Sequence, residues 1–252
     1  MVLRALVLLA PLWPYTLLIG RRPLRHAVAV VVGVVVLSSF GASAALGIPV
    51  PTVGPGWDGP GLGSADLTFF FGTPTPDLTI EAQRKTLATA LRVWSSVARV
   101  RFSETPFANQ PRSIDINFCP FSTCFPGSPF LAFAFFPSPP NSESVAGDMF
   151  INDDFQWEIG NSLGFAAFDL TYIGVHESGH SLGLFHSDNP NSVMFPFVGS
   201  QQVFTGFDQD DIDGILSLYG VVPEPTTLLL WGTTAAGLGL ARWRQQRRKQ
   251  QR

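Results

Sequence analysis

Apolar positions recur with two different periods along the middle of the chain. Between residues 79 and 97, Ile80, Leu87, Leu91 and Trp94 fall at near-helical spacing behind Asp77 or Thr79, either of which can cap a first turn, so a helix is predicted there. Short runs rich in β-branched and aromatic residues at 67–71, 99–103, 113–118, 131–136 and 149–152 read as strands. Further helices are expected over 169–183 and over 209–218, the last carrying Ile212, Ile215 and Leu216. Seven phenylalanines lie between Phe118 and Phe136, and most of them are expected in the core. The Gly/Pro-rich stretch 47–63 reads as a flexible leader, and no internal repeat is present.

The two ends follow different patterns. Residues 27–40, AVAVVVGVVVLSSF, are too short to span a bilayer comfortably; RRPLRH precedes them and GASAALG follows. That order is the one of a secretory signal peptide cleaved after Ala44, with an N-terminal membrane anchor as the other reading. Arg21-Arg22 fits a twin-arginine signal or an ordinary basic leader, and the earlier apolar stretch 5–19 is broken by Pro11 and Pro14. At the other end, Pro223-Glu224-Pro225 precedes an apolar segment over 226–241 and an arginine-rich tail. This arrangement resembles a PEP-CTERM sorting signal, which implies an exosortase-type processing enzyme as partner; a simple C-terminal anchor is the alternative. The basic tail would stay on the cytoplasmic side, with transient membrane association through the apolar segment.

Charge supports this division. The net charge of −3 and a charged fraction of 14% exclude a disordered acidic tail protein and a strongly basic nucleic-acid binder. Residues 1–44 hold four arginines and no acid, and residues 221–252 hold six basic residues against Glu224. Residues 45–220 hold six basic and eighteen acidic residues, a net charge of −12. The expected organisation is a signal region at 1–44, a leader at 45–65, a catalytic domain at 66–220 and a sorting segment at 221–252. The acidic middle would lie outside the cytoplasm, at the cell envelope or secreted after processing. Cys119 and Cys124 are the only cysteines, an even count that favours a disulfide in an exported chain.

Three of the four histidines fall in His176-Glu177-Ser178-Gly179-His180, then Gly183, then His186. On a helix, residues four apart share a face, so His176 and His180 can both meet one metal ion. Gly183 allows a left-handed helix end that returns His186 as a third ligand. Three neutral imidazoles suit zinc with a fourth position open to water, and Glu177 stands where a general base is needed.

With this motif the chain resembles the metzincins, and among them the matrixins. Ser187 follows the third histidine, and Met194 stands eight residues after His186, where the family has its Met-turn. FDQDDIDGILSLYG is similar to the family's last helix, with Asp210 and Asp211 at its paired-aspartate positions. LAFAFFP and GDMFINDDFQW are similar to the family's LAHAF and GDAHFDxDExW. The resemblance runs from about Asp66 to Gly220. It implies an α+β, zincin-like domain: a five-stranded mixed sheet with three main helices, and substrate extended along the edge strand at 131–136 by strand addition.

The departures alter the metal expectations. Phe133 and Phe150 stand where the family has histidines for a structural zinc, and Asn152 and Phe155 where it has an acidic pair for calcium. One catalytic Zn2+ and no structural zinc are therefore expected, with Phe packing and the cysteine pair taking over stabilisation. Asp148 keeps one calcium-type carboxylate, which leaves a second calcium site open; Asp148, Asp153 and Asp154 otherwise read as a solvated loop. No cysteine-switch propeptide is present in residues 45–65. The function implied is an exported zinc endopeptidase acting on protein or peptide substrates, with His176, His180 and His186 as metal ligands and Glu177 as catalytic base. The alternative is a non-catalytic, zinc-stabilised surface or biofilm-matrix protein.

Overall fold

A computed structural model describes residues 48–59 and 63–222. The expected signal region, the sorting segment from Pro223 onward and the processing and membrane association tied to them lie outside the described residues. Among the described residues, no helix is long and apolar enough to cross a membrane.

The strand-forming runs pair into one mixed sheet of five strands in the order β2-β1-β3-β5-β4. These are β1 (Ala65–Phe71), β2 (Val100–Glu104), β3 (Ser113–Cys119), β4 (Ala132–Ala134) and β5 (Met149–Asn152). The first four in spatial order run parallel, and β4 closes the edge antiparallel to β5, with Phe133 opposite Phe150. Parallel strands need crossovers, and α1 (Ile80–Trp94) supplies the one between β1 and β2. Thr79 caps α1 by accepting from the Ala82 N–H, while Asp77 accepts from the Trp157 N–H instead. Leu87, Leu91 and Trp94 enter the core as expected; Ile80 does not, because at the first helical position it projects 61% exposed.

The remaining elements are a one-turn helix α2 (Phe121–Cys124), a small parallel pair β6 (Trp157–Glu158) and β7 (Phe168–Asp169), α3 (Leu170–Leu182) and α4 (Gln209–Leu218). The α2 turn and the β6–β7 pair are too short for any periodicity to reveal. Every residue of α3 except Thr171 is buried. It runs against α1 and beneath β4, and its lack of a polar face leaves only its motif and caps to announce it.

The expectations for the leader and for the cysteines are corrected. The stretch read as a flexible leader is held in place between Val50 and Trp57: Val50 is buried, Val53 N–H bonds the Gly183 carbonyl (2.8 Å), and Trp57 Nε1–H bonds the Ser181 carbonyl (2.8 Å). An added antiparallel bridge, Thr52 to Leu184, gives this glycine-rich chain a template to pair with. Cys119 and Cys124 are free thiols rather than a disulfide. Burial pushes the Cys119 thiol up to about 12, and only a thiolate attacks to form the bond.

Of the seven clustered phenylalanines, Phe118 and Phe121 are fully buried, Phe130 is exposed, and the other four are half-buried. They lie at the sheet edge, where rings cover one another instead of entering the central core.

Candidate active site

The helix α3 is fastened at both ends, and that fixes the site it carries. Asp169 accepts from the backbone N–H groups of Thr171 (3.1 Å) and Tyr172 (3.2 Å). At the C-terminus Gly183 has φ 105°, in the left-handed region, and its N–H returns to the Gly179 and His180 carbonyls. The chain reverses at that residue and carries His186 back toward the helix.

His176 Nδ1–H donates to the Val193 carbonyl and His180 Nδ1–H to the Leu184 carbonyl, both at 2.7 Å. A carbonyl only accepts, so each Nδ1 holds the proton and each Nε2 presents a lone pair. Those lone pairs converge: His180 Nε2 is 3.1 Å from His176 Nε2 and 3.2 Å from His186 Nε2. His176 and His180 have no proton left to share between them, and a cation relieves this contact. Tetrahedral zinc with Zn–N bonds of 2.0–2.1 Å would set such nitrogens about 3.3 Å apart, so the triad fits that ion. Burial pushes His176 down to about 4 and lowers His180 and His186 as well, keeping the rings in the neutral form that binds metal.

Glu177, the neighbour of His176, is buried, and its Oε2 has no hydrogen-bond partner in the chain. Buried polar groups are ordinarily paired, and among the described residues this oxygen is one of four buried side-chain atoms that are not. Burial pushes its carboxyl up to about 8; a dication held nearby acts in the opposite direction.

The triad rests on a second layer. Asp211, fully buried in α4, accepts from Ser192 Oγ–H, from the Val193 N–H (3.0 Å) and from the Asp208 N–H (2.9 Å). The Val193 carbonyl in turn holds His176. Met194 is wholly buried against Gly179, where a Cβ would overlap its Sδ. Trp94 Nε1–H reaches across from α1 to the Val175 carbonyl (3.1 Å). Sequence reasoning noted Asp211 but not its attachment to the turn at 192–194; the Asp208-x-x-Asp211 capping pattern was the available signal.

The residues standing where the resemblance implies further metals do not fit them. Phe133 and Phe150 stack with centroids 5.3 Å apart, and Phe121, Phe125 and Phe135 make edge or tilted contacts around the pair. Asn152 Oδ1 accepts from the Phe121 and Asp154 N–H groups (3.0 Å each), and its Nδ2–H donates to the Phe130 carbonyl (2.9 Å). An amide oxygen that already accepts two backbone N–H groups has no free lone pair to offer a calcium ion. Asp154 caps α2 through Ser122, so it is not idle in a loop.

Asp148 differs from the solvated-loop expectation: it is buried, and its Oδ1 accepts from the Asp115 N–H (2.9 Å). Asp115 is itself 5% exposed, with an unpartnered Oδ1. Burial pushes the Asp148 carboxyl up to about 6. Among the described residues, the histidine triad is the one group of three or more His, Cys, Asp or Glu side chains whose ligand atoms converge within 4.8 Å.

The profile of the matrixin family matches residues 61–220. Matrix metalloproteinase-16 of Homo sapiens is 34% identical over 175 residues, covering 64% of this chain and 28% of that protein. Stromelysin-2 of Rattus norvegicus is 36% identical over 158 residues, covering 60% of this chain and 31% of that protein. The chain thus spans less than a third of the length of these relatives.

Proposed function

The chain belongs to the matrixin family, and from that premise we propose that it is an exported zinc endopeptidase that hydrolyses peptide bonds with Glu177 as general base. The convergence of three Nε2 atoms, two of them held as lone-pair bearers, beside a buried, unpartnered carboxyl oxygen carries this reading. His176, His180 and His186 would hold one zinc ion. When bound, that ion supplies Lewis acidity toward a scissile carbonyl and lowers the pKa of a water.

The chain's own residues do the rest. Glu177 Oε2 accepts the proton of the attacking water and later returns it to the leaving amine. The Val193 and Leu184 carbonyls keep His176 and His180 in the tautomer that presents Nε2. The edge strand β4 leaves one side unpaired for an extended polypeptide, which suits a protein or peptide substrate. Retention of an unpartnered buried carboxylate disfavours a purely structural zinc protein, since such a site needs no base.

The basic–apolar–small order of residues 21–46 supports export, and Pro223-Glu224-Pro225 with its apolar and basic sequel supports recognition by an exosortase-type enzyme. Asp148 keeps the calcium-type carboxylate of the resemblance, and on that ground alone a calcium ion is proposed beside it. The activity is tested by incubating the full-length chain with casein or gelatin, zinc-loaded and after chelation. Fragments are expected only with zinc; an intact substrate in both arms would refute the reading.

A further inference from the structure

The charged side chains are sorted between the two edges of the sheet. All six lysines and arginines of residues 45–220 fall between Arg84 and Arg112, on α1, in and around β2, and just before β3. Residues 113–220, which hold β3 to β5, the histidine triad and α4, carry thirteen acidic residues and no lysine or arginine. β2 and β4 are opposite edges of the five-stranded sheet. At about 4.8 Å per strand spacing they lie roughly 19 Å apart, about twice the distance over which ~0.1 M salt screens a charge.

The two sides also settle their charges differently. The three ion pairs among the described residues, Arg84–Glu104, Arg101–Asp66 and Arg112–Asp58, all lie on the basic side. Arg84, Lys85 and Arg92 share a groove between α1 and β2 with Glu81 and Glu104, so that face is close to neutral. On the side of the triad, carboxylates are held by neutral donors instead. Asn189 Nδ2–H donates to Asp208 (3.0 Å) and Asp210 (2.8 Å), Ser162 Oγ–H to Glu158 (2.7 Å) and Ser122 Oγ–H to Asp154 (2.8 Å). Such bonds satisfy the oxygens and leave their charge uncancelled. Two exposed acids stand close to the site in the chain. Asp188 follows His186 by two residues, and Glu143 lies in the β4–β5 connection that begins at Phe136, whose ring meets His180 edge-on at 5.6 Å. A zinc dication in the triad offsets only a small part of this excess.

Clefts bordered by one sign of charge concentrate ligands of the opposite sign and raise their association rates. We propose that the acidic side of the domain selects cationic polypeptides, so that the preferred substrates carry lysines and arginines on either side of the cleaved segment. This rests on the endopeptidase reading and adds the substrate's charge to it. The selection acts at long range through the field, without a pocket for any one side chain. It enters through KM and weakens as salt rises, while the chemical step at Glu177 is untouched. Polypeptides bearing glutamates in the same places are repelled and cleaved more slowly.

The test uses the full-length zinc-loaded chain and three peptides that share one cleavable core from casein, flanked by lysines, by serines or by glutamates. The expected order in kcat/KM is lysine, serine, glutamate, with about 10-fold or more between the extremes at low salt. Raising salt to about 0.5 M should shrink that gap to within about 2-fold. Glu143→Lys combined with Asp188→Lys should lower the lysine-over-glutamate ratio several-fold, chiefly through KM, at unchanged zinc content. Lys85→Glu, on the far side, should leave the ratio within about 2-fold. Rates that ignore the flanking charge, or a ratio that ignores salt, would overturn the proposal while leaving the peptidase reading standing. A shift with Lys85→Glu as large as that of the double variant would also overturn it, since net charge alone would then be the cause. Failure of the zinc-loaded wild type to cleave any of the peptides would overturn both.

Discussion

The Nδ1–H of His176 donates to the carbonyl of Val193, 2.7 Å away, and this single bond joins the first metal-ligand candidate to the turn that carries Met194. The Val193 N–H is itself held by Asp211 (3.0 Å), so α4 positions His176 through two hydrogen bonds in series. Asp211→Ala leaves the donors at Ser192, Val193 and Asp208 without their acceptor, and a loss of about 3 kcal/mol is expected. Zinc affinity should fall about 10- to 100-fold, because the ring loses its fixed orientation. Thermal unfolding with zinc chelated reads the first effect, and competition with a fluorescent zinc chelator reads the second. Unchanged zinc affinity would show that the turn does not position His176.

Gly179 sits inside α3, where alanine is intrinsically better by about 1 kcal/mol. The space is taken, however: a Cβ there would overlap Met194 Sδ and come within 3.1 Å of the Trp94 ring. Gly179→Ala is therefore expected to destabilise by about 1–3 kcal/mol, as overpacking does. Denaturant unfolding checks the sign, and a more stable variant would mean that Met194 is free to move aside.

Asn152 braces the segment between β3 and β4 without a metal. Asn152→Asp keeps the acceptor toward Phe121 and Asp154 but loses the donor to the Phe130 carbonyl, at a cost of about 1–3 kcal/mol. Added calcium should not restore the melting temperature. Full recovery with calcium would mean that a metal site persists at this position.

How much of this was legible in the sequence depended on the kind of signal. The strand positions and the first helix followed from composition and spacing, and α3 from its motif with Asp169 and Gly183 at its ends. The sheet order did not follow from spacing; the family resemblance supplied the mixed five-stranded sheet. Long-range partnerships were not readable. Asn152 looked like a lost calcium ligand, and only its three partners at positions 121, 130 and 154 reveal an amide bridge. The leader was misread because glycine and proline report local freedom, whereas Val50, Thr52 and Trp57 are fixed by contacts more than a hundred residues away. The solvated-loop alternative for Asp148 failed in the same way, since burial is set by the fold and not by its acidic neighbours.

Burial raises the Asp148 carboxyl to about 6 from an ordinary 3.8. The folded chain therefore binds this proton more tightly than the unfolded chain. Its contribution to stability is complete below pH 3.8 and is lost as the pH rises through about 6. With calcium chelated, Asp148→Asn should gain on the wild type between about pH 4 and pH 7, by at most about 3 kcal/mol. Calcium should close the gap by stabilising the wild type. A difference that does not vary with pH would contradict the burial of an uncompensated carboxyl.

The most direct test of the central claim is cleavage of casein by zinc-loaded wild type and Glu177→Gln, with zinc measured on both. The wild type is expected to carry one zinc ion per chain and to cut. The variant should carry the same zinc and lose at least about 100-fold in rate, since proton transfer by a positioned base contributes about 10²- to 10⁴-fold. Equal cleavage by the two proteins at equal zinc content would contradict the assignment of Glu177 as the base.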